Sequence, residues 1–240
     1  MTQLRSIVKF LLPSRFRRFL RRVHRVVVFR RAMKRFLALA EASKDPGNAI
    51  LSDLIYGWGN ESWSARDEYL AACIDHAMSS RGPILECGSG LSTILIGAIA
   101  KQRGRHHWAL EHLPEWSTKV QSYLDRYRLD SVTLFSTPLK DYGEFLWYDA
   151  PLESLPDRFA LVICDGPPGG TKGGRYGLIP IMSERLATGC TILLDDVVRE
   201  SERAIANRWQ AETGATIEIL GAKKPYIKLS VTDRRLQRPA

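Results

Sequence analysis

Between Phe16 and Leu37 the apolar residues recur as Phe16, Phe19, Leu20, Val23, Val26, Val27, Met33, Phe36 and Leu37, and arginines fill the positions between them. That spacing predicts one amphipathic helix with a single apolar face. Asp45-Pro46-Gly47-Asn48 breaks the pattern. A second helical stretch runs from about Ser64 to Met78, where Ser64 with Asp67 can cap its start. After it, short apolar runs alternate with amphipathic ones. Strands are predicted at Ile84–Cys87, Trp108–Glu111, Val132–Phe135, Leu161–Asp165, Thr191–Asp195, Thr216–Leu220 and Tyr226–Val231. Helices are predicted at about 91–102, 115–128, 140–147, 175–187 and 198–213. This alternation predicts an α/β fold, a doubly wound, seven-stranded and mostly parallel sheet. Only Gly221-Ala-Lys-Lys-Pro225 separates the last two strands, so they should form an antiparallel C-terminal hairpin.

Composition refines this picture in two places. With 240 residues and 45% hydrophobic content the chain fills one α/β core, so the expected division is a basic helical arm over 1–45 and one domain over 46–240. The formal charge of +9 is concentrated in the arm: Met1 to Arg35 holds twelve Lys or Arg and no Asp or Glu, and the remainder is mildly acidic. A basic amphipathic helix suits an anionic membrane surface, the favoured reading for residues 5–37. Packing against its own domain or a second subunit competes with it. An Arg-rich transit peptide and nucleic-acid binding are the lesser readings. Cys73, Cys87, Cys164 and Cys190 show no CxxC spacing, which fits structural thiols in a reducing compartment. No uninterrupted apolar stretch reaches spanning length, so a cytoplasmic protein, peripheral on the inner face of a membrane, is expected.

The chemistry gathers at the strand ends. The first strand runs into Glu86-Cys87-Gly88-Ser89-Gly90-Leu91-Ser92-Thr93, and a helix starts at once. Gly88 and Gly90 let the backbone bend and approach a ligand, while Ser92 and Thr93 lie at a helix amino terminus that attracts a carboxylate or phosphate. Glu111, ending the second strand, can accept both hydroxyls of a ribose. A dinucleotide loop needs a third glycine where Thr93 stands, and Glu86 would repel a pyrophosphate yet pair with an amino group. S-adenosylmethionine is thereby favoured over NAD. On these residues the sequence resembles the class I S-adenosylmethionine-dependent methyltransferases over roughly residues 60–232, with Glu86–Gly90 standing for their first motif. The resemblance implies a Rossmann-like sheet, Glu86, Gly88 and Gly90 around the methionine moiety, and Glu111 on the ribose. Glu86, Gly88, Ser89, Gly90, Thr93, Glu111 and Asp165 are the expected cofactor-binding residues.

Asp165 ends the fourth strand and Asp195-Asp196 the fifth, and carboxylates crowded in this way need a cation or basic side chains. They form a candidate Mg²⁺ or Ca²⁺ site. The arrangement is similar to the metal-dependent O-methyltransferases related to catechol O-methyltransferase, which have Asp-Asn where this chain has Asp195-Asp196. The resemblance implies a Mg²⁺ ion on Asp165, Asp195 and Asp196 that lowers the pKa of an acceptor hydroxyl, with Lys172, shortly before Arg175-Tyr176, as general base. In the alternative, Asp165 binds substrate or cofactor while the aspartate pair caps a helix and meets Arg199. Tyr56-Gly-Trp-Gly-Asn-Glu-Ser-Trp63 either shapes the pocket or packs in the core. The leading expectation is methyl transfer to an oxygen of a small molecule or glycan. An NAD-linked oxidoreductase and a non-catalytic peripheral scaffold are the alternatives.

Overall fold

The computed structural model describes residues 13–42, 46–60 and 67–231. Helix α1 (Ser14–Glu41) is unbroken, but its apolar residues fall into two groups. Phe16, Phe19, Leu20, Val23, Val26 and Val27 are exposed, whereas Phe29, Ala32, Met33, Phe36 and Ala40 are buried. At about 100° per residue the two groups point roughly a third of a turn apart, so one helix buries the second while the first faces solvent. The single face predicted from Phe16 to Leu37 is therefore two faces, and from Phe29 onward the arm shares the core of the domain. Helix α2 (Gly47–Trp58) lies against α1 so closely that a Cβ on Gly57 would stand 2.6 Å from Phe29 Cβ. Arg25 Nη1 donates to the Gly59 carbonyl at 3.2 Å across the same joint. Helix α3 (Asp67–Ser79) is tied to the sheet by the Tyr69 hydroxyl, which donates to the Leu193 carbonyl at 3.0 Å. The cap predicted from Ser64 lies outside the described residues.

Among the described residues nine strands follow: β1 (Ile84–Cys87), β2 (His107–Glu111), β3 (Val132–Ser136), β4 (Leu139–Asp141), β5 (Leu146–Tyr148), β6 (Phe159–Cys164), β7 (Leu186–Leu194), β8 (Thr216–Leu220) and β9 (Tyr226–Ser230). Seven form one sheet in the order β3-β2-β1-β6-β7-β9-β8. Neighbours are parallel from β3 to β7 and antiparallel at β7-β9 and β9-β8. The predicted mostly parallel sheet with a closing hairpin is observed. Side chains alternate across it with period two. Ile84, Leu161, Ile163 and Leu193 join the core under α1, α2, α3, α4 (Leu91–Gln102) and α5 (Pro114–Tyr127). Leu85, Cys87, Val162, Cys164, Ile192 and Leu194 join the opposite one, with α6 (Leu178–Met182) and α7 (Glu200–Thr213).

Of the predicted helices one is absent and another is cut short. The stretch 140–147 is a two-stranded hairpin in which β4 pairs with β5, because Asp141 Oδ1 accepts the Gly143 N–H at 2.8 Å and Gly143 takes φ +83°, reversing the chain. Of 175–187 only Leu178–Met182 is α-helical: Gly173 and Gly174 hold positive φ before it, and β7 already begins at Leu186. All four cysteines are free and buried. No helix among the described residues is long and apolar enough to cross a membrane.

Candidate active site

A cavity of about 420 Å³ opens at the carboxyl ends of β1, β2, β6 and β7, the edge where open parallel sheets take ligands. One wall is the glycine turn. Gly88 has φ +93°, and a Cβ there would stand 3.2 Å from the Gly166 nitrogen, so both conformation and space demand glycine. Among the described residues, no atom beyond its chain neighbours lies within 4 Å of where a Cβ on Gly90 would sit, which leaves that side open to a ligand. Thr93 Oγ1 accepts the Gly90 N–H at 2.8 Å and closes the first turn of α4. Glu111 braces the loop from β2: its Oε2 accepts the Ser89 N–H at 3.1 Å and the Ser89 hydroxyl at 2.8 Å, and its Oε1 accepts the Leu113 N–H at 2.9 Å. Trp116 Nε1 donates to the Ser89 carbonyl at 2.7 Å from the other side. A carboxylate has about four lone-pair sites and these three donors occupy all but one, so Glu111 keeps capacity for one ribose hydroxyl.

Glu86 lies at the base of the cavity, nearly fully buried. Its Oε1 accepts the Ser92 hydroxyl at 2.5 Å, and its Oε2 is 3.1 Å from Nε2 of the buried His107. The volume, the glycine turn and two carboxylates at its ends fit a nucleoside joined to an amino acid.

The part of the lining next to it is charged. The carboxylate oxygens of Asp165, Asp195 and Asp196 come within 4.8 Å of one another, as the sequence predicted. They do not fit a divalent cation, because three cationic side chains already hold them. Arg175, almost wholly buried, reaches Asp165 Oδ1 at 3.1 Å and Asp196 Oδ2 at 3.0 Å, and donates to the Asp165 and Asp195 carbonyls at 2.7 and 2.6 Å. Lys224 Nζ bridges Asp195 at 2.9 Å and Asp196 at 2.7 Å. Arg199 meets Asp196 Oδ2 at 3.0 Å. Three carboxylates thus face three cations, and a metal would have to displace Lys224 to reach the same oxygens.

Burial pulls the Lys224 ammonium toward neutrality, but the hydrogen bonds and charges of Asp196 and Asp195 outweigh it and raise its pKa. Burial raises the Asp165 carboxyl to about 7 against the opposing Arg175, with Asp195 and Asp196 adding to the rise. Asp196 is shifted the other way: burial would raise it, yet Lys224 and Arg175 bring it below the ordinary carboxylate range.

Of the residues predicted for the site, Glu86, Gly88, Ser89, Gly90, Glu111, Asp165, Asp195 and Asp196 all line this cavity. Thr93 does not, and acts instead as the brace of the turn. Lys172 is not brought to the cavity either: it is half exposed in the Gly-rich loop, with Nζ 3.6 Å from Asp141 of the β4–β5 hairpin. Arg175 and Lys224 were not singled out by the sequence as site residues, whereas Arg199 meets the aspartate pair as one of the two readings expected, and Trp58 proves to serve both core and cavity.

Residues 85–197 match the family model of a methyltransferase domain. This stretch is a methyltransferase domain. No curated protein matches it by sequence. Among solved structures, this methyltransferase is similar to precorrin-6y C5,15-methyltransferase from Geobacter metallireducens, at 17% identity and TM-score 0.56 over 72% of this chain and 92% of that one. An SAH-bound Podospora anserina methyltransferase follows at 19% identity and TM-score 0.54, over 72% and 81%. A Pyrococcus furiosus methyltransferase gives 16% identity and TM-score 0.50, over 69% and 83%. The methyl donor of this class is S-adenosylmethionine, the ligand that the glycine turn and Glu111 suit.

Proposed function

We propose that the enzyme moves the methyl group of S-adenosylmethionine to an oxygen nucleophile of a small molecule or glycan, without a divalent metal. The observation that carries this reading is a shared cavity: the nucleoside cradle of Glu86, Gly88 and Glu111 lines it together with Asp165, a carboxyl whose pKa of about 7 suits proton transfer at neutral pH. The sulfonium supplies a leaving group that needs no further activation. Asp165 takes the proton of an acceptor hydroxyl as the oxygen lone pair forms the new O–CH₃ bond and the S–CH₃ electrons return to sulfur, leaving S-adenosylhomocysteine. Lys224 and Arg199 line the same wall and offer donors to the developing oxyanion. They would repel a positively charged amine, which is what favours oxygen. Most of the rate then comes from holding donor and acceptor in line.

Isothermal titration tests the cofactor half: S-adenosylhomocysteine binds and NAD gives no heat. The reverse result would replace this reading with the NAD-linked oxidoreductase. The acceptor half is tested by mass spectrometry of products from a panel of phenols, sugars and amines. Methylated amines with untouched hydroxyls would overturn it.

A further inference from the structure

The outer half of α1 takes no part in the core. Every residue from Ser14 to His24 is exposed, a length of about 16 Å at the helical rise. Along it and the next turn, Phe16, Phe19, Leu20, Val23, Val26 and Val27 are between 39% and 58% exposed, too apolar a row to be left in water without a role. Wound at about 100° per residue these six fill an arc of about 120°, and Arg15, Arg17, Arg18, Arg21 and Arg22 all fall in the remaining arc. No acidic residue interrupts the helix before Glu41.

We propose that this surface docks on an anionic lipid bilayer, its apolar row sunk to the headgroup boundary and its arginines on lipid phosphates. The two halves of the helix circumference ask for different surroundings, and a charged membrane interface supplies both at once. A second copy of the chain supplies only one. It would bring two rows of arginine together with no acid on either helix to pair with them. Nor can the domain itself cover the row, since the unbroken helix points it about a third of a turn away from the buried face. Nucleic acid would engage the arginines and leave the apolar row in water.

Vesicle co-sedimentation of the full chain tests this, using phosphatidylcholine with and without phosphatidylglycerol. The chain should pellet with the anionic vesicles and release as salt rises. Arg17→Gln with Arg21→Gln should weaken partitioning about 30-fold, at about fivefold per arginine. Phe19→Asp with Val23→Asp should weaken it more than about tenfold while the arginines remain. All four positions are exposed, and thermal melts identical to wild type will show that the fold is kept. The proposal fails if the full chain ignores anionic vesicles, or if the Phe19/Val23 variant pellets like wild type. A wild-type dimer that this variant splits, with no vesicle binding, would assign the row to a second copy instead. Binding to duplex RNA that the Phe19/Val23 pair leaves unchanged, again without vesicle binding, would assign the helix to nucleic acid.

Discussion

Replacing Lys224 by Met keeps the aliphatic stem and removes only the charge, which makes it the sharpest test of the acidic wall. Lys224 holds Asp195 at 2.9 Å and Asp196 at 2.7 Å, and Asp195 is buried. Removing one partner from a buried ion pair costs about 3–5 kcal/mol, and the ammonium is partly exposed, so about 2 kcal/mol is expected. For a chain of this size that corresponds to a Tm lower by about 4–8 °C. The variant also leaves three carboxylates facing two guanidinium groups, a net negative pocket with oxygens available to a hard cation. Differential scanning fluorimetry with and without MgCl₂ reads both effects: wild type should not respond to Mg²⁺, whereas Lys224→Met should regain part of its lost Tm. The reasoning is refuted if wild type gains Tm with Mg²⁺ and loses methyl transfer in EDTA. In that event the three aspartates are a metal site, and Lys224 is a placeholder.

Asp165 should pull stability and activity in opposite directions. Its folded pKa of about 7 lies above the ordinary carboxylate range, so the stability it contributes is present below that range and is lost as pH rises through about 7. Methyl transfer should rise over the same interval, while Asp165→Asn melts higher than wild type above neutral pH and is inactive; melting and rate profiles against pH check both. Glu111→Ala removes the acceptor for the Ser89 N–H and hydroxyl, and with it the site proposed for a ribose hydroxyl. One charge-assisted bond of about 1.5–3 kcal/mol makes the expected loss of S-adenosylhomocysteine affinity about 10- to 150-fold by calorimetry, and an unchanged Kd would remove Glu111 from the cradle. Gly57→Ala forces a Cβ to within 2.6 Å of Phe29 and should cost about 1–3 kcal/mol in chemical denaturation, against near-neutrality if α1 and α2 can slide apart.

What the sequence disclosed was whatever it holds locally. Strand, glycine bend and helix from Ile84 to Gln102 are contiguous, so the cradle could be read directly, and Glu111 needed only one more strand. Arg199, three residues after Asp196, was legible in the same way, but the other two cations were not. Arg175 sits ten residues from Asp165, in a loop without periodicity, and Lys224 lies 29 residues beyond Asp195. One clue was available for Lys224: a hairpin whose second strand runs antiparallel beside β7 must bring its turn to the end of β7, as the Leu194–Ile227 pairing shows. The β4–β5 hairpin was misread as a helix because its strands are three residues each, too short to show alternation, and the Asp141-Tyr142-Gly143 turn was the better signal. In α1 the nine apolar positions read as one stripe along the sequence, while their outer and inner rows lie about a third of a turn apart on the helix.

The continuity of α1 makes it a bracket and not a tether. Phe29, where it enters the core, packs against Trp58 with ring centroids 6.0 Å apart, and Trp58 meets Trp116 at 5.9 Å. Trp116 in turn grips the Ser89 carbonyl. With backbone in contact at Gly57 and no hinge along the helix, whatever seats its outer half also sets the bearing of the cavity mouth, and acceptors are met from one fixed direction.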